Sequence, residues 1–262
     1  HKSRYPAVFQ FTERGAQKFG TKFKPESIED ISSITSIYRP GPLAADVDKI
    51  YLKNKKNPEN VVYEHPAIKE VLGDTYGSMI YQEQVMALAN KLAGMSLPEC
   101  DTLRKVILKR TLKGQEEAFK KRDELKIKFV DGCEQNGFPR GKADELFQKI
   151  EYAAGYLFNR SHSMAYSIIS YQCAWLFTHH EKEWLKAYLE NKEGTDKKER
   201  VINEIKKYGY KFKKPDINKS SDTWEINRKT IYFSLSALKG LGKKVVAEII
   251  KNQPYKSLDD II

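Results

Sequence analysis

Cysteine is scarce in this 262-residue chain, and the three present, Cys100, Cys133 and Cys173, stand far apart and odd in number. That pattern argues against a disulfide framework or a zinc site and leaves reduced, mostly buried thiols. No run of about 18 apolar residues occurs and no signal-peptide pattern opens the chain, so a soluble cytoplasmic protein is expected, with no membrane partner. The chain starts at His1 with no initiator methionine, as expected of a piece of something larger. Acids are in deficit, 35 Asp and Glu against 46 Lys and Arg, for a formal net charge of +11. An excess of this size points to polyanions, because Lys and Arg contacts to phosphates release condensed counterions. A membrane surface is the competing polyanion.

Carboxylates arranged for a metal are also missing. Asp46-Val47-Asp48 is the only Asp-x-Asp pair, and it lies between a proline-rich turn and Ile50-Tyr51-Leu52. Its acids therefore fit the first turn of a helix, where the macrodipole favours negative charge. Asp259-Asp260 after Ser257 reads in the same way.

Periodicity and breakers predict a mainly helical fold. Ile28, Ile31, Ile34, Ile37 and Tyr38 recur at helical spacing until Pro40 and Pro42 stop the pattern. Further helices are expected from His65-Pro66 to near Gly73, from Tyr81 to Gly94, across Leu97 to Lys128 with a break at Gly114, at Gly141 to Ala154, and at Ser163 to Glu190. After Glu190 the texture becomes polar, a helix follows at Lys198 to Tyr208, and Lys211 to Thr223 shows no helical period. Trp224-Glu225-Ile226 and Thr230-Ile231-Tyr232-Phe233 form a short hairpin whose turn lacks the glycine of the strongest hairpin signals. Ala237 to Val245 reads as helix end, glycine turn and new helix. The fold class expected is multi-helix, followed by a small α+β region with a short hairpin and a glycine-turn helix pair.

The stretch Gly155 to Tyr166 gathers the groups that hold a nucleotide. Arg160 offers a planar fork for phosphate oxygens, His162 a polar ring, and Tyr156, Phe158 and Tyr166 flat faces for a base. A buried histidine beside an N-capping serine is the alternative reading of the same residues. Arg39, fixed between Tyr38 and Pro40, is a second candidate for a nucleotide or template phosphate. Between Asp101 and Lys128, Arg104, Lys105, Lys109, Arg110 and Lys113 begin a basic stripe that either follows phosphates or is a solvated face. Lys239, Gly240, Gly242 and Lys243 form the glycine turn, where outward-facing amides suit a DNA phosphate and a simple glycine-capped turn fits as well.

In order along the chain, Val8-Phe9-Gln10-Phe11, "YRPGPL" from Tyr38, "YGSMIYQEQVM" from Tyr76 and "FNRSHSMAYSIISYQ" from Phe158 resemble the bacterial family C replicative DNA polymerases. The resemblance spans nearly the whole chain, and "KKPDIN" and "SALKGLGKK" are similar to the start of that family's region behind the fingers. It implies the end of the palm over 1–40, helical fingers over 41–192 and the post-fingers region over 193–262. It further implies binding of deoxynucleoside triphosphates and primed template DNA, with Arg39, Arg104, Lys105, Lys109, Arg110, Arg160, Ser161, His162 and Tyr166 at the nucleotide. Lys113 and the glycine turn would lie on DNA. Magnesium would sit on palm aspartates upstream of this segment, so the segment alone would be inactive. A sliding clamp and other replisome subunits are the implied partners of the full protein, in a bacterial or phage-infected cell. One departure stands out: Ile107-Leu108 replaces a glycine-containing turn of better-known members. A free-standing nucleic-acid-binding module without polymerase activity is the alternative, and a purely structural helical domain a third.

Overall fold

The computed structural model describes residues 5–108, 116–192, 196–257 and 259–261. The chain divides into two compact units, Glu13–Ile169 on the one hand and His1–Thr12 with Ser170–Ile262 on the other.

The first unit is helical: α1 (Arg14–Phe23), α2 (Ile28–Ile37), α3 (Pro40–Ala44), α4 (Val47–Lys56), α5 (Pro66–Leu72), α6 (Gln82–Lys91), α7 (Leu97–Leu108), α8 (Glu116–Gln135), α9 (Arg140–Ala153) and the start of α10 (Arg160–His179). Local chemistry sets the helix starts. The Ser27 hydroxyl accepts from the Asp30 amide ahead of α2, and Pro40 and Pro66 open α3 and α5, where a missing N–H is harmless. Ahead of α7, the Glu99 carboxylate accepts from the Ser96 amide and hydroxyl at 3.0 and 2.7 Å, and the Lys128 ammonium closes on the same carboxylate. The Glu99 side chain thus reaches back to satisfy the N–H of the residue ahead of the helix.

Helices α5 to α9 enclose one apolar core built on Leu88, Leu92, Leu103, Phe129, Phe147 and Ile150. Removing such side chains from water supplies most of the driving force. Helix α8 crosses the end of α6 so closely that a Cβ on Gly132 would stand 2.0 Å from the Ala93 carbonyl oxygen. Only glycine permits that approach.

The second unit holds the end of α10, α11 (Glu181–Lys192), α12 (Lys198–Lys206), β1 (Lys211–Lys213), β2 (Glu225–Asn227), β3 (Thr230–Tyr232) and α13 (Lys243–Lys251). Strand order is β1-β3-β2, with β3 antiparallel to β2 and parallel to β1. Ile226 pairs with Ile231 and Phe212 lies beside them, so these side chains share the face toward Leu185, Leu189, Val201, Ile205 and Trp224. The alternate residues Glu225, Asn227, Thr230 and Tyr232 share the opposite face.

The hairpin turn is Arg228-Lys229, and Arg228 takes φ +51°. A side chain in this left-handed region costs roughly 1–2 kcal/mol, which is why glycine or asparagine is favoured there.

Three local expectations change. The span 163–190 is two helices with a bend at His180, set by α11 packing Leu185 and Leu189 inward while the Trp184 indole donates to the Pro6 carbonyl at 2.9 Å. The stretch 211–223 carries a strand, β1, too short for its alternation to be seen. Ahead of the glycine turn stands a single 3-10 turn, Leu235–Ala237, in place of a full helix end.

Candidate nucleic-acid interface

In the helical unit, the blocks that stood out in sequence meet at one joint. The Phe158 amide donates to the Ile80 carbonyl and the Gln82 amide to the Phe158 carbonyl, both at 2.9 Å, forming a single parallel bridge between the start of α6 and the segment before α10. Beneath it lies a buried hydroxyl network. Ser32 Oγ donates to Ser163 Oγ at 2.8 Å, Ser36 Oγ lies 2.9 Å from Ser163 Oγ, and Tyr81 Oη lies 2.8 Å from Ser32 Oγ. Tyr51 Oη donates to Ser33 Oγ at 3.0 Å, and the Ser163 and Ser36 hydroxyls also reach the Ser32 carbonyl. Burial pushes the Tyr51 phenol well above its ordinary range, so it stays a donor. Hydrogen bonds in a dry joint are directional, and losing one partner leaves several groups unsatisfied. The network thus fixes α2, the start of α6 and the first turns of α10 against one another.

On that joint the candidate side chains come together. Asn159 Oδ1 caps α10 by accepting from the His162 amide at 2.8 Å, and the Glu83 carboxylate accepts from the Arg160 amide at 3.0 and 3.1 Å. His162 is exposed, so the reading of a buried histidine with a serine cap does not hold. Its ring stands 4.1 Å from Tyr166 and 5.6 Å from Phe158, centroid to centroid. Arg39 lies over the Phe158 ring at 4.4 Å while donating to the carbonyls of Ser36 at 2.9 Å and Tyr156 at 2.5 Å. Arg160 has its guanidinium 5.4 Å from the centre of the Tyr81 ring and 3.7 Å from Asp74, with 39% of the side chain exposed. Arg104 donates to Asp101 Oδ1 at 2.8 and 3.1 Å and to Gln82 Oε1 at 3.2 Å, and Lys105 reaches the other Asp101 oxygen at 2.7 Å. Lys105 first, then Arg104, holds the Asp101 carboxyl below the usual carboxylate range. Ser161 is exposed on the first turn of α10. Lys109, Arg110 and Lys113 lie outside the described residues.

Sequence reading missed the acids here. Glu83 and Asp74 look like ordinary surface charges until the fold brings them to Arg160, while Asp101 pairs with Arg104 and Lys105 one turn along the same helix. The serines carried a weak signal: Ser32 and Ser36 stand one turn apart on α2, beside Ser33.

In the second unit, Gly240 takes φ +97°, a conformation that requires glycine, and the Gly242 carbonyl accepts from the Val246 amide at 3.1 Å at the start of α13. Lys239 and Lys243 flank this turn, both exposed. Neither has an ion pair among the described residues.

The profile of the bacterial DNA polymerase III alpha subunit finger domain matches residues 1–150, more than half of the chain. The chain belongs to this finger-domain family. A helix-hairpin-helix motif matches residues 209–262, the stretch that holds the hairpin and the glycine turn. Full-length similarity agrees. The chain is 38% identical over 267 residues to the DNA polymerase III subunit alpha of Chlamydia trachomatis, covering 100% of this chain and 21% of that protein. Identity is 36% to the protein of the same name from Treponema pallidum and 37% to that from Aquifex aeolicus, covering 98% and 97% of this chain and 22% of each relative. The chain therefore spans about a fifth of the length of the curated relatives it matches.

Polymerases of such relatives imply a divalent metal, and the carboxylates of this finger-domain chain do not fit one. Among the described residues, no group of three His, Cys, Asp or Glu side chains could hold an ion. Asp46 occupies the cap position of α4 and pairs with Lys49 at 2.7 Å, and Asp48 lies in that helix's first turn. No helix among the described residues is long and apolar enough to cross a membrane.

Proposed function

We propose that this chain is the nucleotide-closing part of a replicative DNA-directed DNA polymerase, binding the incoming deoxynucleoside triphosphate and primed template DNA. The observation that carries this reading is the convergence of the blocks beginning at Tyr38, Tyr76 and Phe158 on the Tyr81–Phe158 bridge. There Arg160, His162 and Tyr166 share the first turns of one helix above a fixed joint. Residues 1–40 are the end of the palm, 41–192 the fingers, and 193–262 the start of the post-fingers region.

Phosphoryl transfer asks mainly for positioning and charge stabilisation. Arg160, Arg104 and Lys105 supply positive charge toward the triphosphate, and Lys109 and Arg110 extend it. Arg39 reaches a nucleotide or template phosphate with the guanidinium nitrogens left over from its two carbonyl bonds. His162, Ser161 and Tyr166 shape the pocket around base and sugar. Sequence is read by template pairing and the protein checks shape. Lys113 and the turn at Lys239, Gly240, Gly242 and Lys243 hold DNA phosphates. Magnesium sits on carboxylates of the longer protein, and a sliding clamp and replisome subunits contact that protein elsewhere.

The test is single-nucleotide incorporation by the longer polymerase carrying Arg160→Ala or His162→Ala. Each is expected to lose at least tenfold in kcat/KM, about 1.4 kcal/mol of transition-state binding. Incorporation within a few-fold of the parent for both variants contradicts the assignment.

A further inference from the structure

The second unit holds a hollow of about 460 Å³ beside the hairpin. Lys182, Lys219 and Arg228 line it against the single carboxylate of Glu225, with Asn218, Asn227 and Tyr232 between them. Its floor is built. The Asn218 side chain exchanges two 2.7 Å hydrogen bonds with the backbone of Tyr255, and Gln253 Nε2 donates to the carbonyls of Ile217 and Ser220 at 2.5 and 3.0 Å. Loop 216–220, which carries Asn218 and Lys219, is thereby tied to 253–255.

The cations around it are held loosely or not at all. Lys182 stands 3.8 Å from Glu225 and Lys219 3.5 Å from Asp216, both at the long end of ion pairing. Arg228 has no ion pair, hydrogen bond or ring contact from its side chain among the described residues. It also occupies the left-handed turn position, φ +51°, where glycine would be free of strain. The exposed Arg228 guanidinium is thus free to meet a ligand at the rim of this cationic hollow, on a turn whose backbone favours glycine.

We propose that this hollow takes a phosphate group of a nucleic-acid backbone, as a contact separate from the turn at Lys239–Lys243, with Arg228 and Lys219 as the main ligands. Guanidinium and ammonium donors facing one carboxylate match a phosphodiester better than a carboxylate-rich peptide or an apolar ligand. The identity of the phosphate's source rests on the reading of the chain as DNA-binding, whereas the hollow and its charge do not.

The test uses the whole 262-residue chain and a fluorescein-labelled primed duplex, followed by anisotropy across a salt series. Arg228→Ala with Lys219→Ala is expected to lower the slope of log K against log salt by about 1–2 and to weaken binding about tenfold at fixed salt. Arg228→Gly is expected to melt at or above the parent temperature while binding more weakly than the parent, a combination that a structural role for Arg228 does not produce. An unchanged slope in both variants, with Lys239→Ala/Lys243→Ala still weakening binding, overturns the hollow and leaves the DNA reading standing. No salt-dependent binding by the parent chain overturns both. Inorganic phosphate titrated against the backbone amide resonances of Asn218 and Asn227 separates the sources. Shifts with the duplex support the proposal, and shifts with inorganic phosphate alone overturn its nucleic-acid part.

Discussion

The candidate cations of the two units are held in opposite ways. In Glu13–Ile169, the described cations of the candidate site are braced: Arg104 and Lys105 by Asp101, Arg160 by Asp74 and the Tyr81 ring, Arg39 by two carbonyls and Phe158. In the second unit, Lys239, Lys243 and Arg228 have no such brace among the described residues. Braced cations lose less side-chain entropy on meeting a ligand and present a fixed geometry, as a pocket that measures shape requires. Unbraced cations give salt-sensitive attraction to any phosphate backbone. One chain thus pairs a geometric surface with an electrostatic one.

The most damaging way to break this contrast is to remove the joint under the braced set. Ser163→Val removes the hydroxyl that both Ser32 and Ser36 bond in a dry site and is expected to lower unfolding stability by about 3 kcal/mol, measured by urea denaturation. Gly132→Ala forces α8 away from the Ala93 carbonyl and is expected to lower it by about 2 kcal/mol, with the second unit's near-ultraviolet aromatic signal unchanged. Smaller in energy, Lys239→Ala with Lys243→Ala is expected to weaken duplex binding about tenfold and flatten its salt slope by roughly 2, leaving the melting temperature alone.

Asp101→Asn sharpens the comparison from the other side by converting braced cations into free ones. Duplex affinity is expected to rise a few-fold with a steeper salt slope, while discrimination between paired and mispaired nucleotides by the longer enzyme falls.

The smallest effect concerns pH. Hydrogen bonds from Lys128, then from the Ser96 hydroxyl and amide, hold the Glu99 carboxyl down to about 2. Its folded value lies below the unfolded one, so the stabilisation it gives α7 is fully present above roughly pH 4.3 and is lost as pH falls toward 2. The stability gap between the parent and Glu99→Gln should be constant above that window and shrink across it as pH falls, measured by acid titration of both.

Much of the fold was legible because its signals are local. Pro66 marks a helix start, Pro40 and Pro42 stop the isoleucine pattern of α2, and Gly240 sits where only glycine is comfortable, although the short α3 that Pro40 opens was not expected. The family blocks also marked the site, since Phe158, Arg160, His162 and Tyr166 lie within nine consecutive positions. What escaped was tertiary. Glu83 and Asp74 gain meaning only when the fold brings them to Arg160, whereas the Asp101 pairs with Arg104 and Lys105 are local to α7 and were open to a reading of helical spacing. The bend at His180 follows from how α11 packs its leucines, and three-residue β1 needs β3 beside it to be a strand at all. Arg228 was visible as the missing hairpin glycine, but the hollow it rims is assembled from α11, the 216–220 loop and the hairpin.

The measurement that bears most directly on the central claim is anisotropy of the whole chain with primed DNA over a salt series, with and without the templated nucleotide and magnesium. The account predicts steep salt dependence, a further gain with the correctly paired nucleotide only, and loss of that gain in Arg160→Ala with the salt slope nearly intact. Binding that ignores salt, or a nucleotide gain that survives Arg160→Ala and His162→Ala together, would contradict it.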